Sequence, residues 1–195
     1  MMIEVMLAVS LLQRIVTAED RQNAMRMKYE CRELQENWEA RDKDSSVRSK
    51  QYEVILLEGA RYRKLVARNG QPLSADERLL VEDDMLRTSV LRRAVVEKTG
   101  GERLATLEQT HDLSLAGPNE LIATPKGAGR LYRLRFDPAS FALLEYVRED
   151  GETTLKIEYA NDTDLPHFMR RMEVLFTAGI ARVQRSTFSD WRLAR

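Results

Sequence analysis

The sequence is poor in the residues that build metal sites and covalent catalysts. It has one cysteine, Cys31, and two histidines, His111 and His167, among 195 residues. A single cysteine excludes an internal disulfide, and its setting in a strand-like run is more typical of a small buried side chain than of a nucleophile. The histidines are far apart and belong to no HxxxH, HExxH or CxxC spacing, whereas a zinc site needs three or four converging ligands. We therefore expect no metal, no cofactor and no catalytic residue.

Motifs of phosphate and acyl-transfer chemistry are also missing. Residues 127–129 read Gly-Ala-Gly, but no Walker lysine and serine follow them, and the chain has no GxSxG elbow. Asp162 and Asp164 lack the oxygen-rich loop that calcium requires, so they are more typical of a turn with side-chain-to-backbone bonds. A binding protein is therefore favoured over an enzyme, which would need a nucleophile and a base in one cleft.

The chain has no surplus of charge of either sign. Lysine and arginine together number 31, as do aspartate and glutamate, so the formal net charge is zero. Binding to nucleic acid depends on a positive surplus. We therefore expect no nucleic-acid partner.

Long hydrophobic runs are absent too. The apolar stretch from Val5 to Leu12 is far shorter than the roughly 20 residues that span a bilayer. Glu4 stands where a secretion signal carries positive charge. Because apolar residues then recur at helical spacing, residues 2–26 are predicted to form an amphipathic helix of the mature fold, with no transmembrane segment. If the protein is exported, we expect that its signal has been removed or that the start of the sequence is truncated.

Glycine and proline are scarce, at nine and five residues, and they form no linker. We therefore predict one domain over residues 1–195. It comprises the helix within residues 1–26, a three-strand meander at 28–70, a helical insert at 74–110 and an antiparallel meander at 112–192. Ser74 and Glu77 have the spacing of a capping box, which predicts a helix from residue 75 to about residue 98, with a stripe formed by Leu79, Leu86, Val90 and Ala94.

Strand patterns separated by short turns dominate the rest of the chain. The predicted strands are residues 28–41, 48–57, 61–67, 112–116, 120–124, 130–136, 141–148, 153–160, 168–176 and 180–191. Such short connections demand antiparallel pairing, and a sheet of this size curls under its own twist. The predicted fold is α+β: a strongly curved, open half-barrel of about 8–10 antiparallel strands, with two or three helices covering its concave side.

Two segments carry a family resemblance. Residues 51–74 read QYEVILLEGARYRKLVARNGQPLS, and residues 187–192 read TFSDWR. Both resemble segments of uncharacterised secreted proteins of acidobacterial type. Those proteins are similar in fold to the outer-membrane lipoprotein-sorting superfamily, which includes LolA, LolB and LppX-like proteins.

The resemblance implies an apolar concavity that holds acyl chains or a lipidated peptide in the periplasm or cell envelope. It implies a carrier or chaperone for a lipid or lipoprotein. We expect the protein to be a monomer and to make peripheral contact with a membrane. The alternative is a protein-interaction or sensor domain without a lipid ligand, favoured by an exposed apolar patch or by one positive face on the arginine-rich strands of residues 168–191. Ten residues are expected to line the concavity, with the first helix as its plug: Tyr52, Val54, Leu56, Tyr132, Leu134, Leu155, Ile157, Met172, Val174 and Phe176.

Overall fold

The computed structural model describes residues 2–26, 28–41, 47–57, 60–80, 104–159 and 168–193. Helix α1 spans Met2–Arg26, residues 75–80 form helix α2, and α3 spans Leu107–Thr110. The strands are β1 Lys28–Glu39, β2 Arg48–Leu57, β3 Ala60–Arg68, β4 Gln71–Pro72, β5 His111–Gly117, β6 Glu120–Pro125, β7 Leu131–Phe136, β8 Leu143–Glu149, β9 Thr153–Tyr159, β10 Met169–Phe176 and β11 Arg182–Leu193.

All the strands belong to one antiparallel sheet in the order β4-β3-β2-β1-β11-β10-β9-β8-β7-β6-β5. The two longest strands, β1 and β11, pair in the middle and join the early meander to the late one. Strands β4 and β5 are the edges, so the described sheet stays open. The described residues form eleven strands in this sheet, so the expected number of about 8–10 was too low. The additional strand is β4, whose two residues pair with the end of β3.

A tight turn at Asn69 and Gly70 makes β4 pair back on β3. Both residues have positive φ, at 47° and 77°, a conformation that glycine and asparagine adopt most readily. The Asn69 side chain also accepts a hydrogen bond from the backbone N–H of Ser49, at 2.9 Å. The turn is thereby fixed to the start of β2.

Helix α1 packs on the β5–β8 half of the sheet. Ala8, Leu12 and Ile15 follow helical spacing and are fully buried. They share one core cluster with Leu104, which precedes α3, with Leu107 of α3 and with residues of four strands: Leu113, Leu121, Ala123, Leu134, Phe136 and Leu143. We call the sheet face that carries this cluster the inner face and the opposite one the outer face. The helix predicted over residues 2–26 is confirmed, and α1 and α3 cover part of the inner face.

Helix α2 begins at the predicted capping box. The Glu77 backbone N–H donates to Ser74 Oγ at 3.3 Å, and the Ser74 N–H donates to Glu77 Oε2 at 3.0 Å. The apolar stripe that we predicted for this helix is wrong at its first position, because the Leu79 side chain is 67% exposed. Residues 81–98 of the predicted helix, with Leu86, Val90 and Ala94, lie outside the described residues.

The outer face carries a ladder of ion pairs across β7–β11. Lys156 on β9 bridges Glu145 on β8, at 2.8 Å, and Glu158, at 3.3 Å. Further pairs extend it in both directions: Arg133–Glu149, Arg135–Glu145, Arg171–Glu158 and Arg185–Glu173. Opposite charges on neighbouring strands stabilise antiparallel pairing.

In the described part of the chain, no helix is long and apolar enough to cross a membrane.

Candidate ligand-binding face

The inner face has an apolar strip on β9 and β10, beyond the part that α1 covers. Directly opposed residues of an antiparallel pair share a face, so the register identifies the members of the strip. Ile157 opposes Met172, and Leu155 opposes Val174. Ile157 also opposes Tyr146, which packs against the α1 core cluster. All four strip residues are partly exposed, so the strip is an apolar surface beside the core.

A cluster of buried and partly buried polar residues lies on the other side of this strip, on β11, β1, β2 and β3. Arg63 Nη2 donates to Glu33 Oε1 at 2.9 Å and to Gln35 Oε1 at 3.4 Å. The Tyr52 hydroxyl donates to the same Gln35 oxygen at 3.3 Å. Glu33 is 1% exposed and Ser186 is 0% exposed. We call these five residues the polar cluster.

Tyr52 experiences both burial and nearby charge. Its pKa lies above the ordinary value chiefly because burial disfavours the phenolate, and Glu33 adds to the increase while Arg63 opposes it. The Arg63 guanidinium lies 3.9 Å from the centroid of the Tyr52 ring, a cation–π contact. The phenol is therefore held neutral, as a hydrogen-bond donor within the cluster.

A cavity of about 910 Å³ opens where β1, β2, β10 and β11 end or begin. Its described lining combines apolar side chains with two guanidinium groups, two amides and one carboxylate: Trp38, Phe176, Ala178, Ile180, Val183, Arg48, Arg182, Asn37, Gln184 and Glu39. Phe176 is 42% exposed and Ile180 is 62% exposed, so solvent reaches these walls. The volume falls in the range of small-molecule sites, about 300–1,000 Å³.

Gly179 shapes the wall of the cavity. It has a φ of 68° in the turn between β10 and β11. A positive φ at this position strains any residue with a side chain. The turn carries Ala178 and Ile180 at the edge of the cavity.

The ten sequence-predicted residues lie on the inner face by strand register, but not in one environment. Leu134 is buried in the core cluster that α1 contacts, and Tyr132 packs against that cluster. Val54 belongs to a second buried cluster, with Tyr52 and Met172 packed against it. The strip contains four of the others: Leu155, Ile157, Met172 and Val174. Phe176 lines the cavity, and Leu56 opposes Tyr29 on β1. Ligand binding by these residues stays a prediction.

Several residues of the face were not predicted from the sequence. The polar cluster members Glu33, Gln35, Arg63 and Ser186 belong to strands whose sequences look solvent-exposed, and only the register reveals that they share the buried face. Arg48 and Arg182 begin their strands, where periodicity carries no signal. The turn at Ala178 and Gly179 was visible in the sequence, but its position beside β1 was not.

Of the residues considered for metal or catalytic chemistry, the structure describes His111 and Cys31. His111 contacts the Thr110 hydroxyl and the Arg130 carbonyl, at 2.7 and 2.8 Å, and Cys31 is buried. His167, Asp162 and Asp164 lie outside the described residues. Within the ranges that are described, no three His, Cys, Asp or Glu side chains are placed to hold a metal ion.

Neither a model of a known protein family nor a curated protein sequence matches the chain. Solved structures similar to the chain include a LolA superfamily protein. That protein, from Nitrosomonas europaea, has a TM-score of 0.47 and 11% sequence identity, with 92% of this chain and 93% of that one covered. A domain assigned to an outer membrane lipoprotein-sorting protein of Vibrio parahaemolyticus has a TM-score of 0.46 and 12% identity, with 93% and 91% covered.

A third similar structure is the MucA/MucB complex of Pseudomonas aeruginosa, with a TM-score of 0.33, 10% identity, and 96% and 99% of the two chains covered. The superfamily that the sequence resembles is thus represented among the similar structures. All these TM-scores lie below 0.5. The function of this chain is therefore inferred from its own register and packing.

Proposed function

We propose that this protein binds an acylated amphiphile on its inner face, and that it carries or chaperones a lipid or lipoprotein in the bacterial envelope. The observation that carries the proposal is the partly exposed apolar strip of Leu155, Ile157, Met172 and Val174, which continues through Phe176 into the cavity. Each methylene group moved from water onto such a surface contributes about 0.8 kcal/mol. Burial of a long acyl chain on this surface therefore releases enough free energy for binding.

The charges of the cavity favour an amphiphile with an anionic head. Arg48 and Arg182 give its lining two cations against the single carboxylate of Glu39. Arginine pairs well with phosphate and carboxylate, because its planar guanidinium presents several donors at once. An anionic head at the cavity would leave the acyl chains next to Phe176 and the strip.

A protein-interaction domain without a lipid ligand is the alternative, and the exposed apolar strip is compatible with it as well. Its other expectation was one positive face formed by the arginines of residues 168–191. In the described structure two of these four arginines, Arg171 and Arg185, form ion pairs with Glu158 and Glu173 on the outer face. The charges of these two are therefore neutralised by partners on adjacent strands, which weakens the case for a positive face.

Two valines on opposite faces of the sheet provide a matched test. Val174 opposes Leu155 on the inner face, whereas Val147 opposes Arg133 and Lys156 on the outer face. Both side chains are partly exposed, so a carboxylate is similarly tolerated at either position. We expect Val174→Glu to abolish binding of a phosphatidylglycerol that carries a fluorescent acyl chain, and Val147→Glu to retain it within about twofold, since Val147 belongs neither to the strip nor to the described lining of the cavity. Equal effects of the two substitutions, with both variants folded by circular dichroism, would contradict the proposal.

A further inference from the structure

Ser186 is a fully buried hydroxyl on the inner face. Its Oγ has no hydrogen-bond partner among the described residues, and the residue is 0% exposed. Its cross-strand neighbours are Gln35 on β1 and Met172 on β10. Ser186 therefore lies on the border between the polar cluster and the apolar strip. A buried hydroxyl without a partner costs about 1–3 kcal/mol, so its presence requires an explanation.

Arg63 offers a second buried donor in the same cluster. While its Nη2 is engaged by Glu33 and Gln35, its Nε is buried and has no partner in the described structure. Gln35 connects the two positions across the sheet, because it contacts Arg63 and opposes Ser186 across the β1–β11 pair. Arg63 lies on β3, however, with β2 and β1 between it and β11. Ser186 is therefore the donor at the border of the strip, and it needs an acceptor.

The charge of Glu33 restricts which acceptor fits. Its carboxylate is buried, and a second anion brought beside it would be repelled in this low-dielectric surrounding. A neutral oxygen acceptor avoids that repulsion. An amide group would also bring an N–H, which would need an acceptor of its own, whereas an ester carbonyl brings acceptors alone.

The position of Ser186 fits an ester at the head of an acyl chain. Gln184 lines the cavity and precedes Ser186 by two residues on the same face, which is roughly 7 Å along a strand. Met172, opposite Ser186, begins the apolar strip. An ester at Ser186 would therefore have the cavity along β11 for its polar head and the strip across the sheet, on β10 and β9, for its hydrocarbon.

We propose that the Ser186 hydroxyl binds the ester carbonyl of an acyl chain. Because Ser186 is 0% exposed, the carbonyl reaches it when the side chains that cover it move aside. The inference rests on the proposed function and deepens it: the protein recognises the acyl ester as well as the hydrocarbon. No bond is made or broken. The hydroxyl donates to the carbonyl oxygen, and the hydrogen bond distinguishes an acyl ester from an alkyl ether of the same length.

The test compares two phosphatidylglycerols with the same head and the same chain length, one with ester-linked and one with ether-linked chains. Binding of each to the full chain is measured by competition against a fluorescent lipid. We expect the protein to prefer the ester lipid by about fivefold, the value of one net hydrogen bond. Ser186→Ala is expected to bind both lipids equally. Ser189→Ala, a change at an exposed serine of the same strand, is expected to keep the preference.

A change in lipid preference caused by Ser186→Ala can be distinguished from an effect on folding. Removing an unpartnered buried hydroxyl leaves the folded protein at least as stable as before, so Ser186→Ala should melt no lower than the unchanged protein. A purely structural role for Ser186 would alter binding of both lipids together. Equal binding of both lipids by the unchanged protein, or a preference that survives in Ser186→Ala, would overturn the inference and leave the proposed function standing. Binding of neither lipid would overturn the proposed function itself.

Discussion

Arg63 on β3 reaches across β2 to Glu33 on β1, where its Nη2 lies 2.9 Å from a carboxylate oxygen that is buried from solvent. Burial of a carboxylate is costly unless it is paired, so the contact with Arg63 offsets the free-energy cost of burying Glu33 in the polar cluster on the inner face. The same guanidinium stacks on Tyr52. One side chain thus holds three strands together around a buried charge.

Replacement of Arg63 is expected to destabilise the fold. Arg63→Ala removes the ion-pair partner of Glu33 and the stacking on Tyr52, and should lower the free energy of unfolding by about 3 kcal/mol. Arg133→Ala is the matched control, because Arg133 and Glu149 form an exposed pair at 3.6 Å on the outer face and such pairs contribute about 1 kcal/mol or less. Urea unfolding measures both variants. A similar decrease in the free energy of unfolding of the two variants would show that the Arg63–Glu33 pair contributes no more to stability than an exposed pair.

Glu158 is expected to contribute to acid sensitivity. Burial by itself would raise the pKa of this carboxyl, but hydrogen bonds from Arg171 and Lys156 outweigh it and hold the pKa below the ordinary 4.5. A lowered folded pKa means that ionised Glu158 stabilises the fold above about pH 4.5, and that this contribution is lost as the pH falls through the folded pKa.

Substitution isolates this contribution. Glu158→Gln should be less stable than the unchanged protein at neutral pH and should lose less stability on acidification below about pH 4.5. Thermal melting across that range gives the comparison, and Glu53→Gln, at an exposed position of β2, serves as the control. Parallel pH profiles for Glu158→Gln and the unchanged protein would show that this carboxyl is not the group responsible.

The sequence predicted most of the sheet because half-buried strands alternate. Leu134 and Phe136 are buried and Arg135 between them is exposed, a period of two that can be read without a structure. Strand β4 could not be found this way, since two residues cannot show a period. Its pairing depends on the turn at Asn69 and Gly70.

The candidate site was less predictable than the fold. Glu33 and Ser186 are polar residues in strands with charged neighbours, and nothing local distinguishes them from solvated positions. Their burial follows from the pairing of β1 with β11, between residues about 150 positions apart. The cavity depends on the same pairing, because it brings Trp38 beside Val183. Long-range register of this kind is not encoded in any short segment.

The capping box of α2 is expected to contribute locally. Ser74→Ala removes the acceptor for the Glu77 backbone N–H and should reduce the stability of the helix by about 1 kcal/mol. Hydrogen exchange of the amides of residues 77–80 measures the effect. Ser114→Ala, at an exposed position of β5, should leave those amides unchanged. Unchanged exchange in Ser74→Ala would show that the box does not hold the first turn.

The cavity wall should matter for binding more than for folding. Phe176 is partly exposed, so Phe176→Ala is expected to change the free energy of unfolding by less than about 1 kcal/mol. It should weaken binding of a fluorescent acyl lipid by about tenfold, because a large apolar contact is lost. Leu193→Ala is the control, since Leu193 is also exposed but lies at the far end of β11. Equal binding by both variants would exclude the cavity as part of the lipid site.

Native mass spectrometry of gently purified protein tests the binding of an acylated amphiphile most directly. We predict a stoichiometric lipid adduct that disappears on solvent extraction, returns on incubation with phosphatidylglycerol, and is absent from Val174→Glu but present in Val147→Glu. A lipid-free mass that stays unchanged after incubation with phospholipid and with acylated peptide would contradict lipid binding on the inner face, and would favour a domain that binds a protein partner.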